Sequence, residues 1–290
     1  MTRILSSLSE ISRDYDALFC DLWGCVHDGV RALPQAVAAL QAFRRDGGSV
    51  VLLTNAPRQR ASVERQIAQL GVPRDAWDSI ATSGDAARLA MFKGAVGSRV
   101  WFMGGEMDEV FFDPIRVLDD PVEIERVSLD RAEGIVCCGP FDPQADPKAM
   151  LPQFQDAVGR GLKLLCANPD IVVDRGETRE WCAGALARLY SEIGGESLYF
   201  GKPHGPVYDL ARMRLAEIGR SVPDNRILAV GDGIHTDIAG AVGQGIDSLF
   251  ITGGLAAEET RTDTDPDPQA LAAYLDGENV RPDFAIGHLR

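Results

Sequence analysis

Two hydrophobic patterns alternate along the chain. Short, continuous apolar runs occur at Ala17–Cys20 and at residues 49–53, 226–230 and 248–252, and residues 80–84 read as a further strand end. Each run is bounded by Gly, Pro, Asn or Asp, and each has the length and composition of a buried strand. Between them, apolar residues recur at helical spacing. Ala36, Val37, Leu40 and Phe43 follow Pro34 and stop at Gly47-Gly48, and Val63, Ile67 and Leu70 close at Gly71. Residues 207–218, 236–242 and 269–275 carry the same spacing. Strands that are apolar throughout, alternating with amphipathic helices, predict a parallel sheet covered on both faces.

The texture changes in the middle third. Arg99–Met103 and residues 134–138 and 162–166 are strand-like, while residues 148–160 and 184–193 read as helices. Acidic residues crowd positions 106–125. This stretch has its own alternation, so it is expected to fold as a separate α/β unit. Residues 197–200 are expected to return the chain to the main sheet, with Gly201-Lys202-Pro203-His204 at their tip. Residues 258–268 read as an acidic, proline-containing loop, and a last strand is expected near Phe284.

Composition narrows the class. With 290 residues, 45% hydrophobic and 25% charged, the chain can bury one large or two medium domains. A formal charge of −14 argues against binding along a nucleic-acid backbone, which needs a cationic footprint. It leaves room for an anionic substrate, because a metal or a few cations can invert the field of one cleft. The six cysteines form no CxxC pair and fit buried, reduced thiols better than zinc ligands or disulfides. The N-terminal stretch shows no long apolar core of a signal peptide. No run approaches the roughly 18 residues of a membrane span. The expected setting is soluble and cytoplasmic, with no membrane partner.

Candidate chemistry gathers at strand tips. The strand Ala17–Cys20 ends in Asp21, followed by a turn at Gly24. A carboxylate there either caps the turn in solvent or faces the cleft beyond the carboxyl ends of the strands, where α/β sheets bind ligands. Thr54-Asn55, Lys202 and Asp232, with Asp237 five residues on, occupy corresponding places. Taken singly, Lys202 could be a surface lysine, Asp237 a cap, and Thr54 a helix-start hydroxyl. Together they supply the groups that phosphoryl chemistry needs. Asp21 and Asp232 offer hard oxygen ligands for Mg²⁺, while Thr54, adjoining N–H groups and Lys202 can hold phosphoryl oxygens. An aspartyl-phosphate intermediate follows naturally.

Residues 21–28 (DLWGCVHD), 53–58 (LTNAPR), 201–206 (GKPHGP) and 231–241 (GDGIHTDIAGA) carry a family resemblance over nearly the whole chain. The sequence resembles the haloacid dehalogenase-like hydrolases, specifically subfamily IIA, the branch of sugar, nucleotide, 4-nitrophenyl and pyridoxal phosphate phosphatases with a large α/β cap. The resemblance implies an α/β, doubly wound parallel-sheet core (residues 1–83 and 188–290) with an inserted α/β cap (residues 84–187). It implies Asp21 as nucleophile, Thr54 and Asn55 as phosphate-binding, and Lys202 as the lysine that steadies both. Mg²⁺ would be held by Asp21, the Trp23 backbone carbonyl and Asp232, with Asp237 in support. Cap loops of such proteins select the leaving group, which makes Asp142, Asn168 and Asp170 candidate substrate contacts. A small phosphorylated metabolite is the implied substrate and a homodimer the implied assembly. One position departs from the pattern. Trp23 stands where the family's phosphatases place the aspartate that protonates the leaving oxygen and activates water, and indole has no acid–base function near neutrality. The same site could therefore serve a phosphotransferase, or a catalytically weak metal- and phosphate-binding protein. His27 and His204 are alternative bases, and His235 lies between metal-loop residues.

Overall fold

The computed structural model describes residues 2–114, 118–175 and 178–290. In chain order the strands are β1 (Arg3–Ile4), β2 (Ala17–Cys20), β3 (Ser49–Thr54), β4 (Ser79–Thr82), β5 (Arg99–Met103), β6 (Glu125–Arg126), β7 (Gly134–Cys137), β8 (Lys163–Cys166), β9 (Val172–Arg175), β10 (Thr178–Trp181), β11 (Glu196–Tyr199), β12 (Ile227–Gly231), β13 (Asp247–Ile251) and β14 (Phe284–Ile286). The helices are α1 (Pro34–Arg45), α2 (Arg60–Gln69), α3 (Ser83–Phe92), α4 (Leu151–Gly159), α5 (Ala183–Glu192), α6 (Gly205–Glu217), α7 (Ala239–Gln244) and α8 (Pro268–Gly277). The chain forms two compact units: Met1–Thr54 with Ala61–Ala81 and Lys202–Arg290, and Asn55–Arg60 with Thr82–Gly201.

The first unit is built on a seven-stranded sheet in the order β1-β14-β13-β12-β2-β3-β4. β2 is wholly buried and pairs in parallel with β3 on one side and β12 on the other. Its continuous apolar run follows from that position, since a central strand covered on both faces has no solvent side. α1 forms as its spacing predicts, with Pro34 in the first turn and Ala36, Leu40 and Phe43 buried. From β2 the chain winds outward through β3 and β4, then returns to β12 on the opposite flank of β2. The winding direction thus reverses between β2 and β12. That reversal opens a crevice at the carboxyl ends of these two strands.

The second unit has its own parallel sheet, β11-β8-β7-β5-β6, and an antiparallel pair, β9 and β10. Its core gathers Met103, Ile135, Phe154, Leu164, Leu186 and Tyr190. The Phe154 and Tyr190 rings meet edge to face at 5.2 Å, and the Tyr190 hydroxyl donates to the Leu162 carbonyl. Residues 197–200 differ from expectation. Ser197–Tyr199 belong to β11, which pairs with β8 rather than with the main sheet, and Phe200 lies just beyond it. α5 packs against β8 and β11, so the second unit runs past Ala187 to Gly201. The helix expected over residues 236–242 instead begins as a wider turn, Ile234–Ile238, that leads into α7.

Candidate active site

Asp21 and Asp232 follow directly from β2 and β12, the two strands that flank the crevice. The register Val230 against Cys20 puts Asp21 level with Gly231, one residue before Asp232, and carboxylate oxygens of the two residues lie within 4.8 Å of one another. Asp21 is also tied to β12 by its own N–H, which donates to the Val230 carbonyl at 2.8 Å. Lys202 opens the return of the chain into this unit. Its Nζ donates to Asp21 Oδ1 at 2.6 Å and to Asp237 Oδ1 at 2.7 Å. Asp237 is held in turn by the Gly233 N–H at 3.1 Å and the Thr236 hydroxyl at 3.3 Å, both reaching Oδ2. The wide turn Ile234–Ile238 explains this, because it folds the Asp237 side chain back over the loop that begins at Gly231. All four side chains are buried.

Burial pushes the Asp21 carboxyl up; the Lys202 ammonium opposes that shift and Asp237 adds to it. Burial raises Asp232 as well, reinforced by Asp21 and Asp237. For Lys202, burial alone would favour the neutral amine, but Asp21 and Asp237 outweigh it and hold the ammonium well above its usual range. Three buried carboxylates thus face one ammonium in this cluster. Their residual negative charge suits a divalent cation, and hard carboxylate oxygens suit Mg²⁺.

The surrounding backbone is shaped to that cluster. Asp232 Oδ2 accepts the Leu255 N–H at 3.1 Å. A Cβ on Gly24 would lie 2.2 Å from this oxygen, and one on Gly254 would lie 2.1 Å from it. Gly24 also has φ +73°, a conformation that favours glycine. The loop between Asp21 and Asp28 therefore closes directly over the Asp232 carboxylate.

Cys25, read from sequence as one more buried thiol, belongs to this cluster. One donor atom from each of Asp21, Cys25 and Asp232 lies within 4.8 Å of the other two. Its place four residues after Asp21, across a glycine turn, was the available signal. All six cysteines are buried and unbonded to one another.

Trp23 is exposed over 41% of its surface. Its indole stands edge-on to His27, with ring centroids 5.5 Å apart. His27 is buried, accepts the Gly29 N–H on Nδ1 at 3.1 Å, and is pushed down by burial. His204 begins α6 and is likewise lowered by burial. His235 points instead at Glu278, 3.3 Å away, with its side chain largely exposed. Thr54, half-buried, ends β3 beside β2.

The second unit brings three other candidates together. Asn55 Nδ2 donates to Asp170 Oδ1 at 2.8 Å, and the Asp170 N–H donates to Asn168 Oδ1 at 3.0 Å. Ser83, missed in the sequence, lies beside them. A Cβ on Gly201 would lie 2.4 Å from Asn55 Oδ1 and 2.6 Å from Ser83 Oγ. Asp142 is apart from this group, exposed, with Oδ1 engaged by the Gln144 N–H in its own turn.

Buried carboxylates just beyond the carboxyl ends of β2 and β12, with a buried lysine against one of them, form the kind of crevice in which α/β enzymes work. Residues 18–114 match the haloacid dehalogenase-like hydrolase family, and residues 199–277 match the HAD-hydrolase-like family. The crystal structure of a haloacid dehalogenase-like hydrolase from Brucella suis 1330 is 37% identical, with TM-score 0.83, covering 99% of this chain and 100% of that one. A possible sugar phosphatase from Cytophaga hutchinsonii shares the fold at 18% identity and TM-score 0.75, covering 99% and 98%. D-glycerol 3-phosphate phosphatase of Mycobacterium tuberculosis is 25% identical over 255 residues, 86% of this chain. The chain spans 66% of the length of that curated relative. This protein belongs to the haloacid dehalogenase-like hydrolases and is an enzyme of that class. Among the described residues, no helix is long and apolar enough to cross a membrane.

Proposed function

We propose that the protein is a Mg²⁺-dependent phosphatase of small phosphate esters that works through Asp21. The carrying observation is the Asp21 carboxylate, buried, held by Lys202 at 2.6 Å and set beside Asp232. Asp21 attacks phosphorus and the leaving oxygen departs with the bonding pair, so the phosphoryl group passes to the carboxylate. Lys202 fixes the attacking carboxylate and offsets charge on the phosphoryl oxygens, while Thr54 and Asn55 bind those oxygens. Asp21, the Trp23 carbonyl and Asp232 would hold Mg²⁺, with Asp237 in support through Lys202. When bound, the cation neutralises phosphate charge that would otherwise repel the nucleophile. Water then attacks phosphorus, releases phosphate and restores Asp21. Asp142, Asn168 and Asp170, all in the second unit, are proposed leaving-group contacts. The M. tuberculosis relative, by its name, acts on a small phosphate ester, in keeping with this class of substrate. A cytoplasmic homodimer completes the reading.

Trp23 favours a second reading. Without a carboxylate there, proton transfer typically contributing about 10²–10⁴ in rate is missing. The phosphorylated enzyme would then persist long enough to hand its phosphoryl group to another acceptor, or the site would act mainly by binding. A panel of phosphorylated metabolites with Mg²⁺, read as free phosphate, separates these. Release that disappears in Asp21→Asn supports hydrolysis. Stabilisation by a metabolite without release supports the binding reading, and release undiminished in Asp21→Asn would remove Asp21 as nucleophile.

A further inference from the structure

The loop over Asp232 places a sulfur where the chemistry above uses only oxygen. Cys25 is fully buried, and its Sγ makes no hydrogen bond with any described residue. Asp232, itself 95% removed from solvent, has one hydrogen-bond donor, the Leu255 N–H on Oδ2, which leaves Oδ1 unengaged among the described residues. With Asp21, these two residues bring donor atoms within 4.8 Å of one another. Ligands that share one cation lie at most two bond lengths apart, about 4.4 Å for a zinc–sulfur and a zinc–oxygen bond. Tetrahedral ligands lie closer together than that linear limit, so the three atoms, each within 4.8 Å of the others, would have to draw together to share one cation.

We propose that Asp21, Cys25 and Asp232 form a site for a thiophilic divalent cation of the zinc class, one that competes with Mg²⁺ for the two carboxylates. The proposal rests on the Mg²⁺ reading of the same carboxylates. Two carboxylates alone favour a hard cation, whereas a thiolate adds a bond that Mg²⁺ does not use and that Zn²⁺ and Cd²⁺ form strongly. Binding transfers the thiol proton to solvent and leaves a sulfur–metal bond, with no redox change.

Cadmium is the probe, since a sulfur–cadmium bond gives an ultraviolet charge-transfer band that carboxylate ligation does not. Wild-type protein titrated with Cd²⁺ should develop this band, saturate at one equivalent, and lose it to excess Mg²⁺. Cys25→Ser and Cys25→Ala should lack the band and bind Cd²⁺ about tenfold or more weakly, while calorimetry still detects Mg²⁺. The wild-type competition stands even if neither variant folds. A band of equal strength in the variants, or one insensitive to Mg²⁺, would assign the sulfur to another cysteine and overturn the proposal. Absence of the band with Mg²⁺ binding intact overturns it alone and leaves the phosphatase reading standing. If neither cation binds, the shared metal site falls with it.

Discussion

Glycines at 24 and 254 pack tightly against Asp232 Oδ2, and single residues test that directly. Gly24→Ala would place a methyl 2.2 Å from Asp232 Oδ2 in a backbone conformation of φ +73°, whereas Gly47, at φ +98°, has nothing within 4 Å of such a methyl. Both substitutions incur a left-handed backbone cost of about 1–2 kcal/mol. Only Gly24→Ala should also displace the carboxylate, so calorimetry should show Mg²⁺ affinity falling in Gly24→Ala and unchanged in Gly47→Ala. Trp23 makes a different case. Its indole is partly exposed and leans on His27, so Trp23→Asp should cost about 1–2 kcal/mol rather than the larger loss of a core truncation. An alkoxide needs a proton on departure, whereas an aryl oxide needs it far less. Single-turnover mixing at matched folded fraction should therefore show Trp23→Asp gaining on alkyl phosphates and in the release of phosphate, with little change on aryl phosphates. Rapid alkyl cleavage by the native protein would assign the proton to another residue.

At the scale of elements, the strands that carry the site were legible because burial on both faces leaves an unbroken apolar run. β2, β3 and β12 needed nothing beyond that pattern, and their terminal Asp21, Thr54 and Asp232 could be read straight from it. β11 could not be assigned to its sheet in the same way. An apolar run reports burial but not the neighbouring strand, and β11 pairs with β8 through Leu198 and Leu165, residues as apolar as any in the main sheet. Lys202 thus reaches Asp21 from the chain's return into the first unit, not from a strand of that sheet. The convergence of Asp237 on Lys202 depends on the wide turn Ile234–Ile238, which has no distinct hydrophobic period. Cys25 was hidden for a related reason, since a buried thiol reads alike whether it packs or ligates. In the second unit, Glu133 ties β5 to β7. Its carboxylate accepts the Ser98 N–H, the Arg99 N–H and the Arg99 guanidinium, which hold it down at about 2. Its contribution is complete above the ordinary carboxylate value and is lost as pH falls towards 2. Native protein should be more stable than Glu133→Gln near neutrality, with the difference shrinking between about pH 4.5 and 2 in urea melts. A difference independent of pH would assign the effect to packing.

On the scale of the whole molecule, the site joins positions far apart in the chain: Lys202 meets Asp21 across 181 residues, and the second unit lies almost wholly between them in sequence. The reversal of winding between β2 and β12 makes that convergence possible and fixes which two carboxylates become neighbours. The overall charge of −14 adds to the burden of three buried carboxylates, so a divalent cation should stabilise the entire first unit by mass action. Removal of divalent cations by chelation should lower the melting temperature, and saturating Mg²⁺ should restore it in native protein but not in Asp232→Ala. The most direct measurement of the central claim is covalent. Protein mixed with an aryl phosphate and Mg²⁺, quenched in acid within one turnover and digested, should yield the peptide containing Asp21 heavier by one phosphoryl group. The adduct should be labile to hydroxylamine and absent in Asp21→Asn. Multiple turnovers with no adduct at Asp21, or turnover by Asp21→Asn at the native rate, would contradict the assignment of Asp21 as the nucleophile.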